Sequence, residues 1–204
     1  PSGSGKSSLV TAGLLPALAR QQSGTWYPVS LRPGTTPTAA LATALGGDAA
    51  NVAAAVPALL AAHPPATRLL IVVDQFEELF TQAERATKSA FLTALTALRA
   101  VPSVTLLLLM RADFYPDLMQ SVLWPPGEGE RLEIAPLQGE ALRAAIARPA
   151  ADVGVEVEPE LVERLVADAA DEPGSLPFLQ EALVLLWERL RGRRLHLADY
   201  QALS

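Results

Sequence analysis

Five consecutive residues, Leu69-Leu70-Ile71-Val72-Val73, are apolar with no polar position among them, and an acid, Asp74, closes the run. A strand with one wet face alternates apolar and polar residues. A run without alternation fits a strand covered on both faces, and such strands belong to parallel sheets with helices packed on each side. Leu106–Met110 repeats the pattern within a Val104–Met110 segment, and Arg111 stands at its end. These runs constrain the chain to an α/β fold with both strands central. Each is far shorter than the roughly 20 residues that a membrane-spanning helix needs.

The remaining segments read as alternating strands and helices. Trp26–Leu31 is a strand candidate closed by the turn residues Arg32-Pro33-Gly34. Lys6–Arg20 carries Leu9, Leu14, Leu15 and Leu18 close to helical spacing, with a kink or an early end expected at Pro16. Ala39–Leu45, Val52–Ala62 and Ala83–Arg99 are further helix candidates, and Leu132–Ala135 reads as a further short parallel strand. After Pro136 the character changes. Gln138–Ala151, Glu160–Ala170 and Leu176–Leu190 read as helices with no strand between them, and Leu179, Leu183, Leu186 and Leu190 make one apolar stripe. The expected organisation is an α/β part over 1–136 and an all-helical part over 137–204.

Composition excludes several functions. The 204 residues carry a net charge of −6, which disfavours a general nucleic-acid surface. There is no cysteine, hence no disulfide, thiolate or cysteine-based zinc chemistry. No signal peptide is visible. His63 and His196 lack an acid at metal-ligand spacing and read as ordinary surface histidines, and no hydrolase triad signature appears. Arg189, Arg191, Arg193 and Arg194 read as a solvated helix end.

The chemistry begins with Pro1-Ser2-Gly3-Ser4-Gly5-Lys6-Ser7-Ser8. It follows the pattern G-x-x-x-x-G-K-[ST] from its second place onward; the opening glycine, and the strand leading into it, would precede Pro1. Gly3 and Gly5 allow successive N–H groups to point inward, so the backbone from Ser2 to Ser8 can cradle phosphate. A helix beginning near Lys6 adds about half a positive charge there. Lys6 reaches the β- and γ-phosphates, and the Ser7 hydroxyl suits Mg²⁺.

Asp74 lies where parallel sheets place their ligands, beyond the carboxyl end of a buried strand. Paired with the loop, it reads as the acid that holds Mg²⁺. Gln75 follows where a water-polarising glutamate is common, and an amide cannot take a proton. Glu77 and Glu78 come next; either could approach the γ-phosphate, or serve as a solvated acid in a first helical turn. Arg111 could stabilise γ-phosphate charge, or form an ion pair with Asp113 or Asp117. Gly174-Ser175-Leu176-Pro177 reads either as helix punctuation or as part of a lid over the nucleotide.

Taken together, these motifs closely resemble the novel STAND NTPase domain. The resemblance rests on Pro1–Val10 with Ala12-Gly13-Leu14-Leu15-Pro16, on Val72-Val73-Asp74-Gln75-Phe76-Glu77-Glu78-Leu79-Phe80-Thr81, and on Arg111-Ala112-Asp113-Phe114-Tyr115. Pro136-Leu137, Arg148-Pro149-Ala150, Pro173-Gly174-Ser175-Leu176-Pro177 and Leu179-Gln180-Glu181-Ala182-Leu183 extend it over nearly the whole chain. It implies a cytoplasmic, bacterial signal-transduction ATPase related to AAA+ and NACHT proteins, closed with ADP and open after exchange to ATP. The fold it implies is a P-loop parallel sheet flanked by helices, its first strand missing, followed by a helical lid subdomain. It further implies ATP or ADP with Mg²⁺, C-terminal winged-helix and WD-type repeat domains, and a nucleotide-dependent homo-oligomer. In residue terms it implies Asp74 as the Mg²⁺-associated acid, Glu77 as the second acid, Arg111 as sensor 1 and Pro177 as a nucleotide contact. Two other readings stay open: a non-hydrolysing assembly scaffold and a small-molecule kinase.

Overall fold

The run Leu69–Val73 forms the middle of a three-stranded parallel sheet. In the computed structural model, β1 (Trp26–Leu31), β2 (Arg68–Val73) and β3 (Val104–Leu108) pair in the order β1-β2-β3. Residues 4–20, 25–47, 51–127, 130–170 and 176–203 are described. The chain divides into two compact units, Lys6–Leu132 and Pro1–Gly5 with Glu133–Ser204, each with its own core.

In the first unit, the absence of alternation in β2 has a direct cause. Successive strand residues point to opposite faces. Leu69, Ile71 and Val73 enter a core with Leu41 and Leu45 of α2 (Pro37–Leu45), Val52 and Val56 of α3 (Val52–Ala61), and Phe91, Leu95 and Leu98 of α5 (Arg85–Arg99). Leu70 and Val72 face the other way, into a cluster with Val10, Leu15, Leu18 and Leu109. Both faces are therefore covered, and all five residues are at most 3% exposed. The expectation that Val104–Met110 is also central is corrected. Among the described residues β3 is an edge strand, it stops at Leu108, and most of its residues are only half-buried.

The first helix, α1, departs from the helical spacing expected for Leu9, Leu14, Leu15 and Leu18. Lys6–Ser8 and Leu15–Arg20 are α-helical, but Leu9–Leu14 between them is π-helical, closed by Leu15 N–H donating to Val10 O. Pro16 has no N–H to donate and its ring crowds the preceding turn, so widening the turn ahead of it relieves the conflict. The wider turn changes the phase. Val10 and Leu15, five apart and out of register in an α-helix, come to share one buried cluster. Leu9 and Leu14 are left 50% and 37% exposed.

The chain beyond β2 turns sharply into α4 (Glu78–Thr81). Leu132–Ala135 is not a strand. It is irregular and Leu132 is 82% exposed. Between β3 and that segment lie a 3-10 turn, Ala112–Phe114, and α6 (Tyr115–Met119).

The second unit holds α7 (Gly139–Asp152), α8 (Pro159–Ala170), α9 (Leu176–Glu188) and α10 (Leu197–Gln201). Its core joins Leu142, Ile146, Leu161, Leu165, Leu179 and Leu186, with Leu183 packed against it; the helix α9 ends at Glu188, and Leu190, the last residue of the expected stripe, packs against the same core from beyond it. The all-helical expectation is corrected by a two-stranded parallel sheet, β4 (Glu156–Val157) with β5 (Arg194–Leu195). Of the four arginines expected on a solvated helix end, Arg189 and Arg191 bond Asp199, and the other two bond at this sheet. Arg194 pairs with Glu156 at 2.8 Å, and Arg193 donates to the carbonyls of Val153 and Gly154. Glu158 accepts from Leu197 N–H and meets His196 Nδ1 at 2.8 Å, and these bonds hold its carboxyl below the usual glutamate range. No helix among the described residues is long and apolar enough to cross a membrane.

Candidate functional site

The charged residues singled out at strand ends gather at the carboxyl edge of the sheet. Leu31, Val73 and Leu108 stand side by side in the register, so the residues that follow them emerge at one edge. Asp74 is fixed first by its backbone, whose N–H donates to Leu31 O at 2.9 Å. The next turn is anchored by Phe76, which is fully buried and donates its N–H to Leu109 O at 2.8 Å.

The first turn of α1 meets this edge through Ser7. Its hydroxyl donates to Asp74 Oδ1 at 2.7 Å across 67 residues of sequence. The same carboxylate oxygen accepts Gln75 N–H at 3.0 Å. Lys6 opens α1 and is half-buried, while Ser8 is exposed. Gly5 has φ 82°, a left-handed conformation that costs glycine little and other residues more. Ser4 is 6% exposed. Ser2 and Gly3 lie outside the described residues, as do Gly174 and Ser175.

The structure separates the two glutamates. Glu78 Oε2 accepts Gly34 N–H at 3.0 Å, which ties the turn after β1 to α4. Glu77 is different: its Oε2 is buried with no hydrogen-bond partner among the described residues. A buried carboxylate oxygen without a donor is costly. Between Asp74 and these acids, Gln75 adopts φ 51°, the left-handed region in which a side chain is strained.

Arg111 takes the ion-pair option. Its Nη2 donates to Asp113, which holds the Asp113 carboxyl below its ordinary value, and its guanidinium lies 5.8 Å over the Phe114 ring. Its Nε is buried without a partner among the described residues. Pro177 is exposed in the first turn of α9, within the other unit.

One site residue escaped the sequence reading. Arg32 directly follows β1, and its Nη2 lies 3.5 Å from Asp74 Oδ2. Its position at a strand end is the same signal that picked out Asp74 and Arg111, but Pro33-Gly34 behind it disguised it as a turn.

Ser7 Oγ and Asp74 Oδ1 are hard oxygen donors close enough to address one cation. That donor set fits Mg²⁺, which binds one or two carboxylates and completes its shell with water and phosphate oxygens. Among the described residues no group of three or more His, Cys, Asp or Glu side chains could hold a metal.

A parallel sheet flanked by helices, with a Gly-Lys-Ser helix start joined to a strand-end acid, is compatible with a nucleoside-triphosphatase fold. The chain belongs to the Novel STAND NTPase 1 family, whose model matches residues 1–204, the whole chain. A search of curated proteins finds no match. The family points to a nucleotide-binding module, and nucleotide in such proteins commonly comes with Mg²⁺.

Proposed function

We propose that this chain binds ATP with Mg²⁺ and serves, in an intact multidomain signal-transduction protein, as a slowly hydrolysing molecular switch. The observation that carries the reading is the 2.7 Å bond between Ser7 and Asp74, which joins the phosphate-loop sequence to the strand-end acid. Ser2–Ser8 surround the phosphates, Lys6 neutralises the β- and γ-phosphates, and Ser7 and Asp74 hold the metal. Bound Mg²⁺ would offset charge on the transferring phosphoryl group. Glu77 accepts the proton of the attacking water, for which its unpaired oxygen is suited. Gln75 cannot do this, and the acid displaced to position 77 suits slow turnover. Arg111 and Pro177 report on the nucleotide, with residues 137–204 as a lid. Winged-helix and WD-type repeat domains, a cytoplasmic setting and a nucleotide-dependent homo-oligomer belong to the same proposal.

Single-turnover hydrolysis in the full-length protein tests the assignment of roles. Glu77→Gln is expected to slow the chemical step about a hundredfold, the contribution typical of one general base. Glu78→Gln is expected to change it by less than about threefold, since its amide oxygen still accepts from Gly34. If neither variant alters an already negligible turnover, the non-hydrolysing scaffold that Gln75 favours replaces the switch.

A further inference from the structure

We infer that Arg32 is a phosphate-contacting residue that distinguishes ATP from ADP, and that Glu78 positions it. The inference rests on the proposed nucleotide site and names a residue that the family motifs above do not include.

Three observations carry it. The first is placement. Leu31 stands beside Val73 in the sheet, so Arg32 leaves β1 next to Asp74 on the edge where ligands of parallel sheets bind. Arg111, three residues beyond the end of β3, is engaged by Asp113, so the arginine that meets the strand-end acid is Arg32.

The second is the contrast between a fixed backbone and a loosely held side chain. Pro33 is buried, and Gly34 N–H is bonded to Glu78 Oε2 at 3.0 Å. The pivot of the Arg32 side chain is therefore set by a carboxylate on α4. The side chain itself is 61% exposed, and its approach to Asp74 Oδ2 at 3.5 Å is too long for a strong bond.

The third is charge. Asp74 already uses Oδ1 for Ser7 and Gln75, and a dication at this carboxylate would repel the guanidinium. The terminal phosphate oxygens attract it, and a planar guanidinium fork suits them. The γ-phosphate oxygens exist only in the triphosphate, so a contact to them discriminates between the two nucleotides.

The test is the ratio of ATP to ADP affinity, measured by calorimetry on the full-length protein in excess Mg²⁺. Arg32→Ala is expected to lower ATP affinity about tenfold more than ADP affinity, the loss of one charge-assisted bond. Arg32→Lys should recover part of the ratio by keeping charge without the fork. Glu78→Ala should reproduce the Arg32→Ala ratio, and Glu78→Gln should restore it. Equal losses for both nucleotides with Arg32→Ala, or no loss, would overturn the inference while leaving the nucleotide site standing. Failure of the site itself reads differently: the unmodified protein would then bind neither nucleotide.

Discussion

Replacing Lys6 with alanine in the full-length protein is expected to weaken ATP binding roughly a hundredfold or more. The residue opens α1, and a helix start favours an anion; it follows Gly5, whose backbone is left-handed. An ammonium that bonds two phosphates contributes about 3–6 kcal/mol, since each charge-assisted hydrogen bond supplies about 1.5–3 kcal/mol. Lys6→Arg tests whether charge alone suffices; a bulkier, planar head in a tight loop should recover only part of the affinity. The readout is calorimetric affinity for Mg-ATP, with circular dichroism to show that the helices remain. Unchanged affinity in Lys6→Ala would remove the phosphate loop from the function of this chain.

The second large effect concerns Phe76, a residue with no part in the chemistry. It is fully buried, packs edge-on against Phe80 at 5.6 Å, and its N–H bonds Leu109 O. Truncating a buried phenylalanine costs about 3–5 kcal/mol, from lost burial and from the cavity left behind. Phe76→Ala is therefore expected to lower the denaturation midpoint of the Lys6–Leu132 unit severely. Phe76→Leu fills more of the volume and should cost less than half as much. The site should suffer too, because Phe76 is the peg between Gln75 and Glu77. In Phe76→Leu under folding conditions, turnover should fall more than ATP affinity does. A stability change below about 1 kcal/mol in Phe76→Ala would mean that the turn is not held by this packing.

What could be read from the sequence follows from which signals are strong. β2 was legible because both its faces are covered, which leaves a run without polar interruptions. Ser7 and Asp74, expected from the sequence to address the same ion, are joined by a hydrogen bond. The Leu9–Leu14 phase was not legible, since one wide turn shifts every later position and no propensity marks it. Leu132–Ala135 looked like a strand because short apolar stretches do so wherever they lie, and burial decides. β4 and β5, two residues each, are too short to carry a period. The separation of Glu77 from Glu78 was not legible either. It depends on Gly34, more than forty residues away, which donates to one of them.

The two separate cores carry a thermodynamic consequence. A chain with two cores need not melt once, and a single melting temperature is then ill-defined. Two transitions are expected by scanning calorimetry. A ligand raises the stability of whatever binds it by mass action, about 2.7 kcal/mol at a hundred times its Kd. ATP should therefore lift the transition of the Lys6–Leu132 unit by several degrees. Whether the other transition rises with it asks directly if the Pro177 unit also holds the nucleotide. A common rise would make the two halves one thermodynamic body only while the ligand is present, and a lone rise would leave the Pro177 unit out of the binding equilibrium.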